Sequence, residues 1–146
     1  MKYLYLIFLY CAQASAQCPE FTLANLQSLQ RSTDKESKIR ELGFDLHSEF
    51  NTKNATMRRY NKCWKGNAAT PVYEQVIFWN TAQDQVMLLL FDNNAYQNLR
   101  AAIEERHNSA EAVKSRDYYI GKMFKYVYSL QKIDGLEYFN IAISFK

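Results

Sequence analysis

The sequence predicts an α+β fold: an antiparallel sheet of about five strands with two or three helices packed on one face, in the order ααβββαββ. Three observations carry this expectation. Leucines recur at helical spacing before residue 43, β-branched and aromatic runs fill residues 57–91, and a cleanly alternating segment follows Asp134-Gly135 at the C-terminal end.

Leu23, Leu26 and Leu29 recur every three residues after Thr22, which predicts a short first helix. Thr33 and Glu36 have the spacing of an S/T-x-x-E capping box and open a second helix with Ile39 and Leu42 on its apolar side. Gly43 is placed to end it in the left-handed conformation, with Phe44 folding back on Ile39. An extended segment starts near Phe44, Leu46 and His47, and the polar run Asn51–Thr56 breaks it as a turn. Met57–Trp64 is the next strand, and Gly66 and Pro71 mark a loop after it. Val72–Trp79 mixes β-branched and aromatic residues, and Asn80–Asp84 turns the chain. The continuous apolar run Val86–Phe91 is expected to be the central strand, buried on both faces.

A third helix is expected to begin after Asp92 or Asn93, with Tyr96, Leu99, Ala102 and Ile103 on its buried stripe, and to end near His107. Asn108–Arg116 reads as a loop. Tyr118–Leu130 is read as one long aromatic strand, and Asp134-Gly135 as a hairpin turn leading to Leu136–Phe145. In that last strand Phe139, Ile141, Ile143 and Phe145 share one face, expected to be packed. Tyr138, Asn140, Ala142 and Ser144 share the other, expected to be wetter. The order of elements suggests a helix-hairpin unit used twice with Val86–Phe91 between the copies, although no residue-level repeat supports it.

The first residues, Met1–Ala16, have the pattern of an export signal. Lys2 supplies a positive end, Tyr3–Ala12 is almost wholly apolar, and Ala14-Ser15-Ala16 offers a small-x-small cleavage site. The apolar run of about ten residues is too short for a membrane-crossing helix, which takes roughly 20. Cys11 follows Tyr10 and Cys18 follows Gln17, not the small residue that precedes a lipid-modified cysteine, so soluble release is expected, to the periplasm or beyond the cell. The brief signal fits a bacterial exporter. Residues 17–146 then form a single α+β domain, and a chain of about 130 residues has ample length for one core.

Removing Lys2 from 18 basic residues against 15 acidic ones leaves a nearly balanced charge. The clusters Arg58-Arg59-Lys62-Lys65 and Lys122-Lys125 are short and interrupted, so no nucleic-acid partner is expected. Cys18 and Cys63 would outlast cleavage, and in an oxidising compartment they are expected to form a disulfide that ties the new N-terminus to the strand around Met57–Trp64. The sequon Asn54-Ala55-Thr56 matters only where exported proteins are glycosylated.

The residues do not assemble a recognised catalytic set. No H-E-x-x-H or C-x-x-C spacing occurs, and Asp92-Asn93-Asn94 lacks the alternating carboxylates of a calcium loop, so neither a metal nor a cofactor is expected. Glu104-Glu105 are adjacent on an exposed helix and do not face each other across a cleft. The positive anomaly is tyrosine, with eleven in the chain. Tyrosine gives large contact area with few torsions to freeze, which suits recognition. The expectation is therefore a non-enzymatic domain that binds a protein partner through the exposed face of its C-terminal hairpin, at Lys122, Tyr126, Tyr128, Tyr138 and Asn140. Two alternatives stand beside it: an envelope hydrolase using His47 or His107, and carbohydrate or small-ligand binding on a concave aromatic surface. Trp64 and Trp79 are expected in the core.

Overall fold

The computed structural model describes residues 17–66, 69, 71–106 and 112–146. The expected export signal over Met1–Ala16, and His107, lie outside them. Among the described residues, no helix is long and apolar enough to cross a membrane.

The fold is mostly sheet. Helices α1 (Leu23–Arg31) and α2 (Lys35–Glu41) lead into strands β1 (Asp45–Asn51), β2 (Thr56–Gly66), β3 (Pro71–Asn80) and β4 (Gln85–Leu90). Helix α3 (Asn93–Arg106) then precedes β5 (Val113–Lys114), β6 (Tyr118–Ile120), β7 (Phe124–Ile133) and β8 (Leu136–Phe145). All eight strands join one antiparallel sheet in the order β1-β2-β3-β4-β8-β7-β6-β5, curled into a half-barrel. This corrects the expected five-stranded sheet with helices on one face: the stretch Asn108–Arg116 read as a loop holds the two-residue strand β5, and two other miscounts have local causes. Strand β1 is exposed at nearly every position, so it carries no alternating signal. The long segment from Tyr118 is broken at Gly121, whose N–H donates to the carbonyl of Phe124 at 2.9 Å, and the chain doubles back there as β6 and β7. The repeat idea takes a different form: a four-stranded meander follows a helix or helix pair in each half, and the two meanders meet where β4 pairs with β8.

The local signals at the N-terminal end are realised closely. The Thr22 hydroxyl accepts from the N–H of Asn25 and caps α1. The second helix is capped by Asp34 in place of Thr33, through a 3.0 Å bond from the Ser37 N–H. Glu36, freed from a capping role, instead pairs with Arg58 of β2 at 3.0 Å. Gly43 has φ +87°, its N–H donates to the Arg40 carbonyl, and the Phe44 N–H donates to the Ile39 carbonyl. This is the two-bond Schellman stop, and both Ile39 and Phe44 are buried against the sheet as that motif requires.

One apolar cluster joins α1, α2 and α3 to the sheet through Leu26, Leu29, Ile39, Leu99 and Ile103, which meet Tyr60, Ile77, Leu88, Ile141 and Tyr126. Strand pairing places Tyr60, Ile77, Leu88, Ile141 and Tyr128 in one row across five strands, because side chains directly opposite in an antiparallel ladder share a face. The other face is closed as well. Val76, Leu89 and Tyr138 form a second cluster with Phe78, Met87, Ile133 and Leu136 against it. The turn Asp134-Gly135 has both residues at positive φ, and the Asp134 carboxylate reaches the Arg59 guanidinium at 3.0 Å. Two strands, β3 and β4, separate β2 from β8, so this pair requires the β7–β8 tip to curl back over that face. Strand β4 is thereby central and buried on both faces, as expected from its apolar run.

Arg100 ties the second half together. Its guanidinium donates to Glu104, to the Tyr96 hydroxyl and to the Arg116 carbonyl, and lies 4.2 Å from the Tyr128 ring centroid. Lys114 meets the same Glu104 at 2.6 Å. Burial alone would raise the Glu104 carboxyl, but hydrogen bonds from Lys114 and Arg100 outweigh it and hold the group below its ordinary value of 4.5. A carboxyl with a depressed folded pKa contributes stability that is full above the unfolded pKa and is lost as pH falls through the folded one. The urea midpoint of the native protein should therefore fall more steeply between about pH 5 and pH 3 than that of Glu104→Gln. Parallel curves would show that the carboxylate adds nothing.

Candidate functional site

The residues expected to form a binding face on the hairpin lie inside. Tyr126 is 0% exposed, Tyr138 2%, Asn140 3% and Tyr128 5%. Tyr126 belongs to the cluster under the helices, where its hydroxyl accepts a 2.9 Å bond from the Gln27 side chain. Tyr138 and Asn140 sit on the opposite face, the Tyr138 hydroxyl donating to the Tyr73 carbonyl and the Asn140 amide to the Ser129 hydroxyl. The face expected to be wet is dry because the curled tip covers it. Of the five, Lys122 alone is exposed, in the turn between β6 and β7. Burial raises the hydroxyl pKa of both Tyr128 and Tyr138, in keeping with aromatic core groups.

Of the two candidate histidines, His47 is within the described residues. His47 is exposed on the edge strand β1, at the irregularity where the register shifts between Leu46 and Ser48. Its Nδ1 lies 3.2 Å from the hydroxyl of its own neighbour Ser48, and its ring meets Tyr73 edge-on at 6.2 Å. Both groups of this pair lie at the solvent edge of the sheet, His47 exposed and Ser48 half-buried.

The concavity of this molecule lies elsewhere, and the disulfide builds it. Cys18 and Cys63 are joined, with their Cα atoms 5.7 Å apart, so the segment Gln17–Glu20 is held against the end of β2. The side-chain amide of Gln75 on β3 donates to the Pro19 carbonyl at 2.8 Å and fixes the same segment a second time. Facing it are Leu90 and Phe91 at the end of β4 and the first turns of α3, with Asp92, Asn94, Ala95 and Asn98. Asp92 caps this helix: its carboxylate oxygens accept from the N–H groups of Asn94 at 3.3 Å and Ala95 at 3.2 Å. Between these walls is a cleft of about 980 Å³, rimmed by Trp64, Lys65 and Glu74. Trp64 is 57% exposed, which overturns its expected place in the core, whereas Trp79 is half-buried beneath the Arg58 guanidinium as a core residue should be.

The polar chemistry of the cleft is uneven. Gln75 is 5% exposed, and with its Nε2 bonded to Pro19 its Oε1 is an acceptor without a protein partner. Such an atom is costly to bury unless something supplies a donor. A smaller hollow of about 220 Å³ shares Cys63 and Trp64 with the cleft and is lined also by His47, Asn61, Lys62 and Tyr73. There the Asn61 Oδ1 accepts from Arg59 at 3.0 Å, which leaves Nδ2 as a buried donor without a protein partner. Cys18, Cys63 and Glu74 come within 4.8 Å of one another, but the two sulfurs are bonded to each other and offer no thiolate to a metal.

Sequence reasoning found the disulfide and the strand it anchors, and so had Trp64 within one residue of the bridge. It missed Gln75, Phe91, Asn94 and Asn98: the i, i+4 pair Asn94 and Asn98 shares one face of α3, but no spacing links it to Gln75 on β3. The fold and cleft together define a disulfide-pinned, mostly-β half-barrel with an open cleft beside its disulfide. No protein family, curated protein or solved structure matches this chain.

Proposed function

We propose that this protein is an exported, non-enzymatic binding domain and that its site is the cleft between the pinned N-terminal segment and α3, taking a small polar ligand. The observation that carries the reading is Gln75: a buried amide in the wall of an open cleft, beside an exposed tryptophan, whose acceptor oxygen meets no protein donor. Binding sites concentrate such convergent polar groups within concave, partly apolar walls. Export is supported by the Cys18–Cys63 disulfide, a bond that persists in oxidising compartments such as the periplasm, together with the signal pattern over residues 1–16.

The test is a backbone and side-chain amide NMR titration of the domain from Gln17 onward with mixtures of saccharides, amino acids, amines, carboxylates and nucleosides. Shift changes are expected to gather on Trp64, Gln75, Phe91, Asn94 and Asn98. Changes confined to the β6–β8 region, or none with any mixture, would reject the cleft.

A further inference from the structure

We infer that the cleft takes a neutral saccharide, held by stacking on Trp64 and by hydrogen bonds to side-chain amides; the inference rests on the reading of the cleft as a ligand site. The charges argue against an ionic ligand. Both oxygens of Asp92 are engaged by backbone N–H groups at the start of α3, and Glu74 is paired with Lys65 at 3.7 Å. Glu20 is the remaining carboxylate of the lining, and the basic residue there, Lys65, is the one paired with Glu74. An ammonium ligand could use the indole face through its quadrupole, but it would find one uncommitted carboxylate to neutralise it. A carboxylate or phosphate would meet three carboxylates, Glu20, Glu74 and Asp92, against Lys65 and the amino group that cleavage frees at Gln17.

What the cleft offers instead is amides. Gln17, Gln75, Asn94 and Asn98 line it, and a primary amide presents both donors and an acceptor. Two unmet hydrogen bonds in this region are of opposite kinds: the Gln75 Oε1 acceptor in the cleft wall, and the Asn61 Nδ2 donor on the other face of the sheet, where Asn61 stands opposite Val76. Their assignment is not arbitrary, since Pro19 offers Gln75 only a carbonyl and Arg59 offers Asn61 only an N–H. Hydroxyl groups suit the cleft amides in either sense, being donor and acceptor in one atom. The C–H face of a sugar ring supplies the apolar surface that an indole exposed to 57% can cover, and Phe91, exposed to 36%, gives a second apolar wall.

The experiment is saturation-transfer difference NMR with maltotriose, cellotriose and tri-N-acetylchitotriose, with spermidine and citrate as charged comparators, on the native domain, Trp64→Ala and Trp64→Phe. At least one trisaccharide should receive saturation, strongest at its ring C–H protons. Its affinity should fall at least tenfold in Trp64→Ala and recover in part in Trp64→Phe. Because Trp64 is exposed, both variants should keep the native circular dichroism and melting temperature. If no trisaccharide binds while spermidine or citrate binds in the cleft, the inference fails and the cleft stands as a ligand site. Saccharide binding unaffected by Trp64→Ala would also overturn the inference, and no binding by any probe, with no titration shifts at the cleft, would remove both.

Discussion

Replacing Tyr126 with Ser is expected to lower the unfolding free energy by roughly 3–5 kcal/mol, the cost typical of deleting a buried aromatic ring. Tyr126 is fully enclosed between the sheet and α1, its ring lies 6.3 Å from that of Phe124, and its hydroxyl is the partner of the Gln27 amide. The substitution leaves both a cavity and a buried amide donor with nothing to meet it. Tyr138→Ser should cost a similar amount through the opposite face, where the ring fills the gap under the curled tip and its hydroxyl satisfies Tyr73. A domain of this size has roughly 5–15 kcal/mol in total, so the double variant should approach unfolding at 37 °C. Urea denaturation followed by circular dichroism measures both. A loss below about 1 kcal/mol for either would mean that the ring is dispensable and the surface role stands open again.

Reduction of the Cys18–Cys63 bridge is expected to cost about 2–4 kcal/mol, because the oxidised unfolded chain cannot explore the freedom of the open loop. The bridge closes a separation of 45 residues that spans α1, α2, β1 and most of β2. Its loss should also be felt locally. Gln17–Glu20 would be held by the Gln75–Pro19 hydrogen bond in place of two constraints, so the cleft wall should loosen before the sheet does. Guanidinium melts of the Gln17-onward chain with and without reductant give the global figure, and hydrogen exchange at residues 17–20 and 63–65 gives the local one. Two titratable thiols in the unreduced native protein would contradict the bridge.

Much of the chain's local structure was legible because it depends on neighbours in sequence. Thr22 caps α1 and Gly43 stops α2, since each acts on backbone groups three or four residues away. Asp134-Gly135 makes the tight turn for which both residues must take positive φ. Val86–Leu90, apolar at every position, had to lie in the middle of something. The errors share a different cause. An edge strand such as β1 leaves both faces wet and carries no periodicity, and Gly121 breaks a run that alternation alone reads as continuous. That break also reverses the parity of the preceding residues, so Tyr119 joins Tyr126 in the core.

The candidate site was the least legible part, for a related reason. Trp64 differs from Trp79 in burial, and their neighbours, Cys63 and Lys65 against Phe78 and Asn80, do not by themselves say which ring is covered. Gln75 is ordinary until β3 places it under Pro19, and Asn98 is ordinary until α3 turns it toward the same cleft. Sequence alone determined the Gly43 stop of α2, the central strand, the hairpin turn and the pairing of two cysteines, because those follow from short-range backbone chemistry and from the few residues able to do each job. Tertiary structure decided which tyrosines are dry and where the molecule is concave. Those depend on the curl of an eight-stranded sheet, a property summed over all its strands that no local segment encodes.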